Sequence, residues 1–483
     1  MNQTLQTLRR LRAYESRNVT LIEPDGSWPI VWERAKGVHV WAADGKKYCD
    51  LTAAFGVAAA GHANARVVRA GQRQMAKLLH AMGDVHPHAL KAQLARELSR
   101  ITFERWTKQN PKSGKTIFCN SGFEAIEAAL KTAMLATGKP GVIAFEGGYH
   151  GLGYGTLNAT HREHFRSPFL SQLREFGHFV PFPVAADVSR LTSSMGKKRG
   201  PSRVGCHEAE RRICKMLGRE EIGAILVEPI QGRGGINIAA PELLPLLRRL
   251  CDEYGALLIL DEIYTGFGRT GKWFACEHSG VVPDVICLGK ALTGGFPLSA
   301  CVGRAEVMDA AWPPSSGEAI HTSTFLGHPV GCAMALAQIA EIKRLQLCRR
   351  SRQLGEFLLQ RLRSQLSNSR LHITARGAGL MAGLELCRPD GAPATAESLR
   401  VIKTMLDRGF ILLPEGEHAN VIGITPPLTI TKAQLERAVT ALAEIPECGN
   451  SSQLSCPAAC PRPRRKKSRR SQTPLRRPVP RTP

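Results

Sequence analysis

The sequence predicts an α/β protein: a large, mostly parallel β-sheet with helices on both faces, followed by a smaller α+β domain. Three observations lead to this expectation. Short apolar runs alternate with helix-like segments between Thr116 and Pro329, glycine-rich turns separate them, and each apolar run ends in polar residues. Because ligands of open α/β sheets bind outside the carboxyl ends of the strands, these polar ends predict one shared crevice.

The predicted elements follow in chain order. The stretch TIFCNSG is expected to be a strand that enters a tight turn, and EAIEAALKTAMLATG after it has the apolar spacing of a helix. Further strands are predicted in VIAFEGGYHG, GAILVEPIQG, GALLILDEIYTGFG and DVICLGKALTGG. From Gly331 onward a helical stretch is expected, and HITARGAGLMAGLEL and NVIGITPP then give two more strands.

The expected domain organisation has four parts. An N-terminal segment, 1–60, is expected to join the small domain, and 61–330 is expected to form the large domain. Residues 331–446 form the small C-terminal domain, and 447–483 form a tail. The length of 483 residues and the hydrophobic share of 43% are enough for a large core and two or three domains.

The tail carries a large share of the net charge of +24 for its length. Residues Pro461–Pro483 hold ten Arg and Lys with no acid, and without them the remainder carries +14. The tail has too few large apolar side chains to fold, so we expect it to be disordered. It could bind nucleic acid by charge alone, but no aromatic residue lies among the basic ones to stack on bases.

The fourteen cysteines are scattered and contain no CxxC pair. A disulfide framework, a zinc cluster or any other metal site is therefore not expected, and a reducing, cytoplasmic compartment fits best. Cys456 and Cys460 have a ligand-like spacing but lack a second pair. No apolar run approaches the length of a membrane span. Arg9, Arg10 and Arg12 fit an organelle presequence less well than an amphipathic first helix.

Two familiar motifs are incomplete. SGKT at Ser113–Thr116 resembles the end of a phosphate-binding P-loop, but Gln109 stands where the first glycine is required. HEAE at His207 has no matching cysteine pair, which excludes a zinc deaminase signature.

Lys290 follows a short apolar run and precedes a turn of small residues. An unpaired ammonium in a low-dielectric site is costly and tends to lose its proton, and a neutral lysine is a nucleophile. The alternative is a surface lysine at the mouth of a loop.

Two other strand ends point to the same crevice. Asn120–Phe123 open a predicted helix, whose free amides form a phosphate site, although Ser121 could equally be an ordinary helix cap. Asp261 follows an apolar strand, and a buried carboxylate needs a cationic partner, either a ligand or a core arginine. Because Lys290 comes one helix and strand later, Asp261 and Lys290 could reach one ligand from neighbouring strand ends.

These residues resemble those of the class III, or omega, aminotransferases of fold type I, which use pyridoxal phosphate. The resemblance covers about residues 14–446. The stretches that carry it are NSGFEAIEAALKTA, FEGGYHG, VEPIQG, LILDEIYTGFGRTG, CLGKALTGGFP, HTSTFLGHPVGCA and RGAGLMAGLEL.

The resemblance implies a role for each site residue. Lys290 would bind the cofactor covalently and then move the proton, and Asp261 would pair with the pyridinium nitrogen. Tyr149 and Ile263 would contact the two ring faces. The remaining cofactor contacts would come from Ser121, Gly122, Phe123 and Glu228, with Thr324 donated by the neighbouring subunit of a homodimer.

Substrate recognition is implied at Arg376 and Glu228. Arg376 would bind the carboxylate of glutamate and 2-oxoglutarate, and Glu228 would be the acid that screens it. Leu152 stands where members acting on 4-aminobutyrate, ornithine or acetylornithine commonly have the arginine of HGR. Phe123 replaces a common Thr or Ser, and Tyr264 replaces a glutamine near the ring oxygen.

The sequence thus predicts a transaminase that moves an amino group from an amine or omega-amino acid to a 2-oxo acid, with 2-oxoglutarate favoured over pyruvate. One alternative is an aminomutase like glutamate-1-semialdehyde aminomutase, which returns the amine to the same carbon skeleton. The other is a nucleic-acid-associated protein that acts through its basic tail. The enzyme explains several hundred residues, whereas the tail comprises about two dozen.

Overall fold

A computed structural model describes residues 3–24, 26–107, 112–185, 205–219, 221–367 and 369–448. The predictions for the tail beyond residue 448, and for Cys456 and Cys460, lie outside these ranges.

Strands account for three larger sheets and one hairpin in the described residues. In chain order they are β1 Trp32–Lys36, β2 His39–Ala42, β3 Lys47–Asp50, β4 Gly114–Cys119, β5 Gly141–Phe145, β6 Gly177–Val180, β7 Ile222–Val227, β8 Ile230–Gln231, β9 Asn237–Ile238, β10 Leu257–Asp261, β11 Val285–Leu288, β12 Ser299–Arg304, β13 His372–Ala378, β14 Met381–Cys387, β15 Phe410–Ile411, β16 Leu413–Glu415 and β17 Val421–Ile424.

Helices connect these strands and cover them. In chain order they are α1 Gln3–Tyr14, α2 Ala53–Gly56, α3 Ala65–Lys77, α4 Ala89–Ile101, α5 Phe103–Trp106, α6 Gly122–Thr137, α7 Tyr154–Leu157, α8 Glu163–Arg166, α9 Cys206–Leu217, α10 Leu243–Tyr254, α11 Ala305–Ala311, α12 Pro329–Arg344, α13 Leu347–Gln365, α14 Thr395–Asp407 and α15 Lys432–Ala443.

The large sheet has the order β4-β12-β11-β10-β7-β5-β6. Its β6, β5, β7, β10 and β11 run parallel to one another, whereas β12 is antiparallel to both β11 and β4. The predicted strands and the mostly parallel sheet are therefore confirmed. The sequence did not indicate β6 or the antiparallel β12.

Both faces of this sheet are buried. Alternate residues of each strand point to opposite faces, and residues of both sets belong to hydrophobic clusters. On β10, Ile259 packs in a cluster with Ala125 and Ala129 of α6. Leu258 and Leu260 belong to the cluster on the other face, which includes side chains from α4, α9 and α10. Helices thus cover both faces, as predicted.

The smaller sheets are built from the two ends of the described chain. One has the order β13-β14-β17-β16, and the other the order β1-β2-β3-β15. In the second, Phe410 and Ile411 of β15 pair in parallel with Cys49 and Asp50 of β3. Strands from the first 60 residues therefore share a sheet with a strand from beyond residue 400. Over the described ranges, no helix is both long and apolar enough to cross a membrane.

Candidate active site

Asp261 and Lys290 lie at neighbouring strand ends. Asp261 is the last residue of β10, and it pairs with Cys287 of the parallel strand β11. Lys290 follows the end of β11 after Gly289. Since both strands run in the same direction, the two side chains reach the same edge of the sheet.

Lys290 is half-buried and has unusual backbone geometry. Its φ of 42° lies in the left-handed region, which a side chain with a Cβ rarely adopts and which is concentrated at functional sites. Its Nζ lies 4.5 Å from the centroid of the Tyr264 ring. Burial lowers the pKa of Lys290, and the charges of Asp261 and Glu228 partly oppose this effect.

Asp261 is held by two hydrogen bonds. Its Oδ1 accepts from the backbone N–H of Ile263 at 3.1 Å, and its Oδ2 lies 2.8 Å from Nδ1 of the buried His150. The backbone N–H of His150 donates to Thr160 Oγ1 at 2.9 Å. His150 therefore fixes one carboxylate oxygen of Asp261. We did not predict this role, although His150 directly follows Tyr149 in the FEGGYHG motif.

Glu228 is buried beyond the end of β7 and accepts two backbone hydrogen bonds. The donors are the N–H groups of Tyr149 at 3.0 Å and Gly232 at 2.9 Å. Burial raises the pKa of Glu228 to about 7, although the nearby His150 counteracts this. Glu228 thus links the Tyr149 loop to the loop that begins at Gly232.

The predicted phosphate turn opens α6, and its amides lie at the helix N-terminus. Glu124 accepts hydrogen bonds from the backbone N–H groups of Asn120 at 2.6 Å and Ser121 at 3.3 Å. Ser121 is the N-cap residue of α6 and faces the backbone N–H of Glu124 as in a capping box, but its buried Oγ forms no hydrogen bond of normal length and angle with the described residues. A buried hydroxyl without a partner is costly, so this atom favours a polar ligand at the turn.

Ile263 packs against the same turn. A Cβ added at Gly122 would lie 3.1 Å from Ile263 Cδ1, and one added at Gly289 would lie 3.3 Å from Ile263 Cγ2. The side chain of Ile263 is therefore positioned between the phosphate turn and the residue before Lys290.

Tyr264 is confined between two glycines. A Cβ at Gly56 would lie 2.5 Å from its ring, and one at Gly232 would lie 2.4 Å away. Its hydroxyl lies 3.0 Å from Thr425 Oγ1, and burial raises its pKa to about 12. Because the hydroxyl is engaged with Thr425, Tyr264 presents its ring to Lys290.

Arg376 on β13 uses all three of its guanidinium nitrogens. Nη1 donates to Glu385 Oε2 at 2.6 Å, Nε to the carbonyl of Ile236 at 3.0 Å, and Nη2 to the carbonyl of Gly235 at 2.6 Å. The carboxylate paired with Arg376 is thus that of Glu385, and the role of Glu228 as the acid that screens this arginine stays a prediction.

Three further predicted residues are exposed. Phe123 is 39% exposed and Leu152 is 48% exposed, and Thr324 lies in an exposed stretch. The structure therefore does not bring Thr324 into the buried cluster formed by the other site residues of its own chain. Sequence reasoning also missed the ion pair of Arg233 with Glu415 and the hydrogen bonds that Arg162 donates to the carbonyls of Arg233 and Gly416. The charges of Arg233 and Glu415 act on Lys290.

The arrangement fits pyridoxal phosphate. The free amides and the unpartnered Ser121 hydroxyl suit a phosphate group, Asp261 suits a protonated ring nitrogen, and Lys290 supplies an amine of lowered pKa. In the described ranges, no group of three or more His, Cys, Asp or Glu side chains is placed to hold a metal ion.

Comparisons with known proteins agree with this geometry. The family model described as aminotransferase class-III matches residues 22–445. The acetylornithine aminotransferase of Methanosarcina mazei is 34% identical over 417 residues, which is 86% of this chain and 92% of the relative. The putrescine aminotransferase of Pectobacterium atrosepticum is 36% identical over 86% of this chain and 82% of the relative.

A solved structure gives the same result. The PLP-bound amine transaminase from an uncultivated Pseudomonas species superposes with a TM-score of 0.78 and 28% identity, covering 90% of this chain and 99% of that one. The chain therefore belongs to the class III aminotransferases, the pyridoxal-phosphate-dependent enzymes of fold type I.

Proposed function

We propose that this aminotransferase moves the amino group of a primary amine or omega-amino acid to a 2-oxo acid, with 2-oxoglutarate as the acceptor. The observation that carries the proposal is the position of Lys290, whose pKa is lowered, just beyond the strand next to the one that ends at Asp261. The names of the two relatives include both a carboxylate-bearing donor, acetylornithine, and a donor without a carboxylate, putrescine.

Pyridoxal phosphate, when bound, supplies the sink for the electron pair that is left when the substrate carbon loses its proton. Asp261 would keep the ring nitrogen protonated, and His150 holds the Asp261 carboxylate in one orientation. Ser121, Gly122 and Phe123 bind the phosphate, chiefly through backbone N–H groups. Tyr149 and Ile263 would contact the ring faces, and Glu228 fixes the Tyr149 loop by accepting a hydrogen bond from the Tyr149 backbone N–H.

Lys290 moves the proton. Its Nζ takes a proton from the amine-bearing carbon of the donor and later returns a proton to the carbon of the acceptor. This requires a neutral amine, and burial lowers the pKa of Lys290 in that direction. The aromatic ring of Tyr264 lies against Nζ and adds no competing hydrogen-bond acceptor.

Arg376 binds the carboxylate that is next to the 2-oxo group of the acceptor. Its guanidinium is held by Glu385 and by two backbone carbonyls, so it is oriented before the substrate arrives. Leu152 provides no cation at the HGR position, so we propose that donors without a distal carboxylate are accepted.

We further propose a cytoplasmic homodimer in which Thr324 reaches the phosphate of the partner. Thr324 is exposed, and the apolar side chains of Ile320 and Phe325 beside it are 71% and 53% exposed. Exposed apolar clusters of this kind favour a subunit interface. The cysteines of the described residues are free thiols, which supports a reducing compartment.

The proposed domain division keeps residues 1–60 with the small domain at 331–446 and the large domain at 61–330. The pairing of β15 with β3 supports it.

The test is a panel of amines assayed with 2-oxoglutarate and with pyruvate. We expect amino transfer to 2-oxoglutarate from several donors. Conversion of a single substrate without any added 2-oxo acid would instead identify an aminomutase.

A further inference from the structure

A second arginine pairs with a buried carboxylate beside Lys290. Arg233 follows the short hairpin strand β8, and its Nη1 lies 3.0 Å from Oε2 of Glu415, the last residue of β16. The Glu415 side chain is 4% exposed, whereas that of Arg233 is 35% exposed. The acid of this ion pair is therefore buried, and the arginine keeps an accessible side.

Arg162 adds a second positive charge to the pair. Its Nη2 donates to the backbone carbonyls of Gly416 and Arg233. In the described part of the chain it forms no ion pair with a carboxylate within 4 Å. Burial and the charge of Arg233 lower the pKa of Arg162. Arg233 is thus the partner of Glu415, whereas the charges of Glu415 and Glu417 act on Arg162 only at longer range.

The charges of Glu415 and Arg233 shift the pKa of Lys290, the proposed proton-transfer group. Glu415 raises and Arg233 lowers the pKa of Lys290, although burial is the largest influence on it. Arg233 also acts on Tyr149, whose pKa burial raises. The cluster of Arg162, Arg233 and Glu415 therefore lies within electrostatic reach of both Lys290 and Tyr149.

One loop connects this cluster to Arg376. The side chain of Arg233 projects from the segment 232–236, whose last two carbonyls, those of Gly235 and Ile236, accept hydrogen bonds from Arg376. The backbone carbonyl of Arg233 accepts from the N–H of Gly416 at 3.1 Å, which joins the same segment to the Glu415 turn. The two arginines are thus fixed relative to each other by one short loop.

We infer that Arg233, assisted by Arg162, binds the distal carboxylate of a dicarboxylic acceptor while Arg376 binds the carboxylate beside its 2-oxo group. The inference rests on the proposed function and adds the specificity determinant for the acceptor. Glu415 occupies Arg233 when no dicarboxylate is present. The incoming carboxylate replaces Glu415 on Arg233 in an exchange of partners without a covalent step.

The exchange does not leave an uncompensated charge. Burial raises the pKa of Glu415 to about 7, even though the charge of Arg233 opposes the rise. When Glu415 loses Arg233 it can take up a proton, because a buried carboxylate without a cationic partner favours its neutral form. The distal carboxylate then replaces Glu415 as the anion beside Arg233 and Arg162.

The test uses Arg233→Met and compares two acceptors. Pyruvate keeps the carboxylate that Arg376 binds but lacks the distal one. We expect the Michaelis constant for 2-oxoglutarate to rise at least tenfold while that for pyruvate changes less than twofold. The matched control is Arg361→Met, because Arg361 forms a half-exposed bidentate ion pair with Glu436 between α13 and α15. It should change neither constant.

Equilibrium binding of unreactive acids gives a readout independent of turnover. Calorimetry should show that glutarate, a dicarboxylate of the same carbon number as 2-oxoglutarate, binds Arg233→Met at least tenfold more weakly than wild type. Butyrate should bind both equally. Glu415→Gln should bind glutarate several-fold more tightly than wild type, because the competing carboxylate is gone.

The outcomes separate this inference from the proposed function. If wild type does not use 2-oxoglutarate, the proposed acceptor is wrong. If it does, but Arg233→Met keeps the preference for 2-oxoglutarate over pyruvate and keeps glutarate affinity, the ion pair is only structural and the inference is wrong. Should Arg233→Met fail to fold, Arg162→Met and Glu415→Gln decide, and unchanged glutarate binding in both would overturn it.

Discussion

Replacing Asp261 by Asn tests the electrostatic centre of the proposed mechanism. The substitution keeps the size of the side chain and its 3.1 Å hydrogen bond from the Ile263 N–H, because the remaining carbonyl oxygen can still accept. It removes the negative charge and places an N–H₂ group toward either His150 or the ring nitrogen. The ring nitrogen then has no anion to hold its proton.

The magnitude follows from the burial of Asp261. The residue is 5% exposed, and Oδ2 lies 2.8 Å from a histidine that is 3% exposed, so solvent screens the charge little. Removing one partner of a buried charge pair costs about 3 to 5 kcal/mol. If this loss falls entirely on the transition state, the proton-transfer step slows by about 10² to 10⁴ at about 1.4 kcal/mol per factor of ten.

The assay is a single-turnover half-reaction with excess amine donor, followed by the absorbance of the cofactor. Asp284→Asn is the matched control. Asp284 is also a buried aspartate in ion pairs, with Arg248 and Arg304, but it precedes β11 and lies at the opposite edge of the sheet. The Asp284→Asn substitution should lower the melting temperature without slowing proton transfer.

A near-normal rate for Asp261→Asn would refute the assignment, because some other group would then have to protonate the ring. Equal slowing in Asp261→Asn and Asp284→Asn would show that general destabilisation, rather than the lost charge, explains the effect.

The other predictions concern covalent attachment and substrate choice. Borohydride reduction followed by peptide mapping should place the cofactor on Lys290, and a label on another lysine would contradict the mechanism. The Lys290→Ala variant should lose turnover but still bind the cofactor. Arg376→Ala should raise the Michaelis constant for 2-oxoglutarate about 30-fold or more, since a charge-assisted bidentate contact contributes about 2 to 4 kcal/mol, with a far smaller effect on uncharged amine donors. In wild type, amines without a distal carboxylate should react at least as well as 4-aminobutyrate, and Leu152→Arg should improve 4-aminobutyrate. A strong wild-type preference for 4-aminobutyrate that the added arginine does not increase would show that another cation, for which Arg233 is the candidate, holds its carboxylate.

Much of the fold could be predicted because the parallel strands are buried on both faces. A strand such as β10 or β11 is a continuous apolar run with a polar residue at its end or just beyond it, and the sequence alone shows this pattern. The antiparallel β12 could not be placed, because its sequence SACVGR resembles any other buried strand. Strand direction depends on the length and path of the connection and not on composition.

The site residues also differ in whether the sequence alone could predict them. Asp261 ends its strand and Lys290 lies two residues beyond the end of its strand, so the local pattern was sufficient to predict them. The Arg233–Glu415 pair joins residues 182 positions apart, on two turns that meet only after the small sheet has formed. The pairing of Arg376 with Glu385 likewise depends on the register of β13 and β14, in which Arg376 lies opposite Gly383. Such contacts are set by tertiary packing, which the sequence pattern does not show.

The antiparallel strand β12 has a consequence for how the chain is assembled during synthesis. Among the described strands of the large sheet, β4 pairs with β12 alone, and Cys119 at its end lies opposite Ser299. Ser299 Oγ also donates to the carbonyl of Ser121 at 2.5 Å, in the phosphate turn. A ribosome must therefore add about 180 residues after β4 before this partner emerges, and such late, non-local pairing makes folding slow and leaves an open strand edge in the meantime. The nascent protein cannot complete its phosphate turn until the second half of the sheet has been translated.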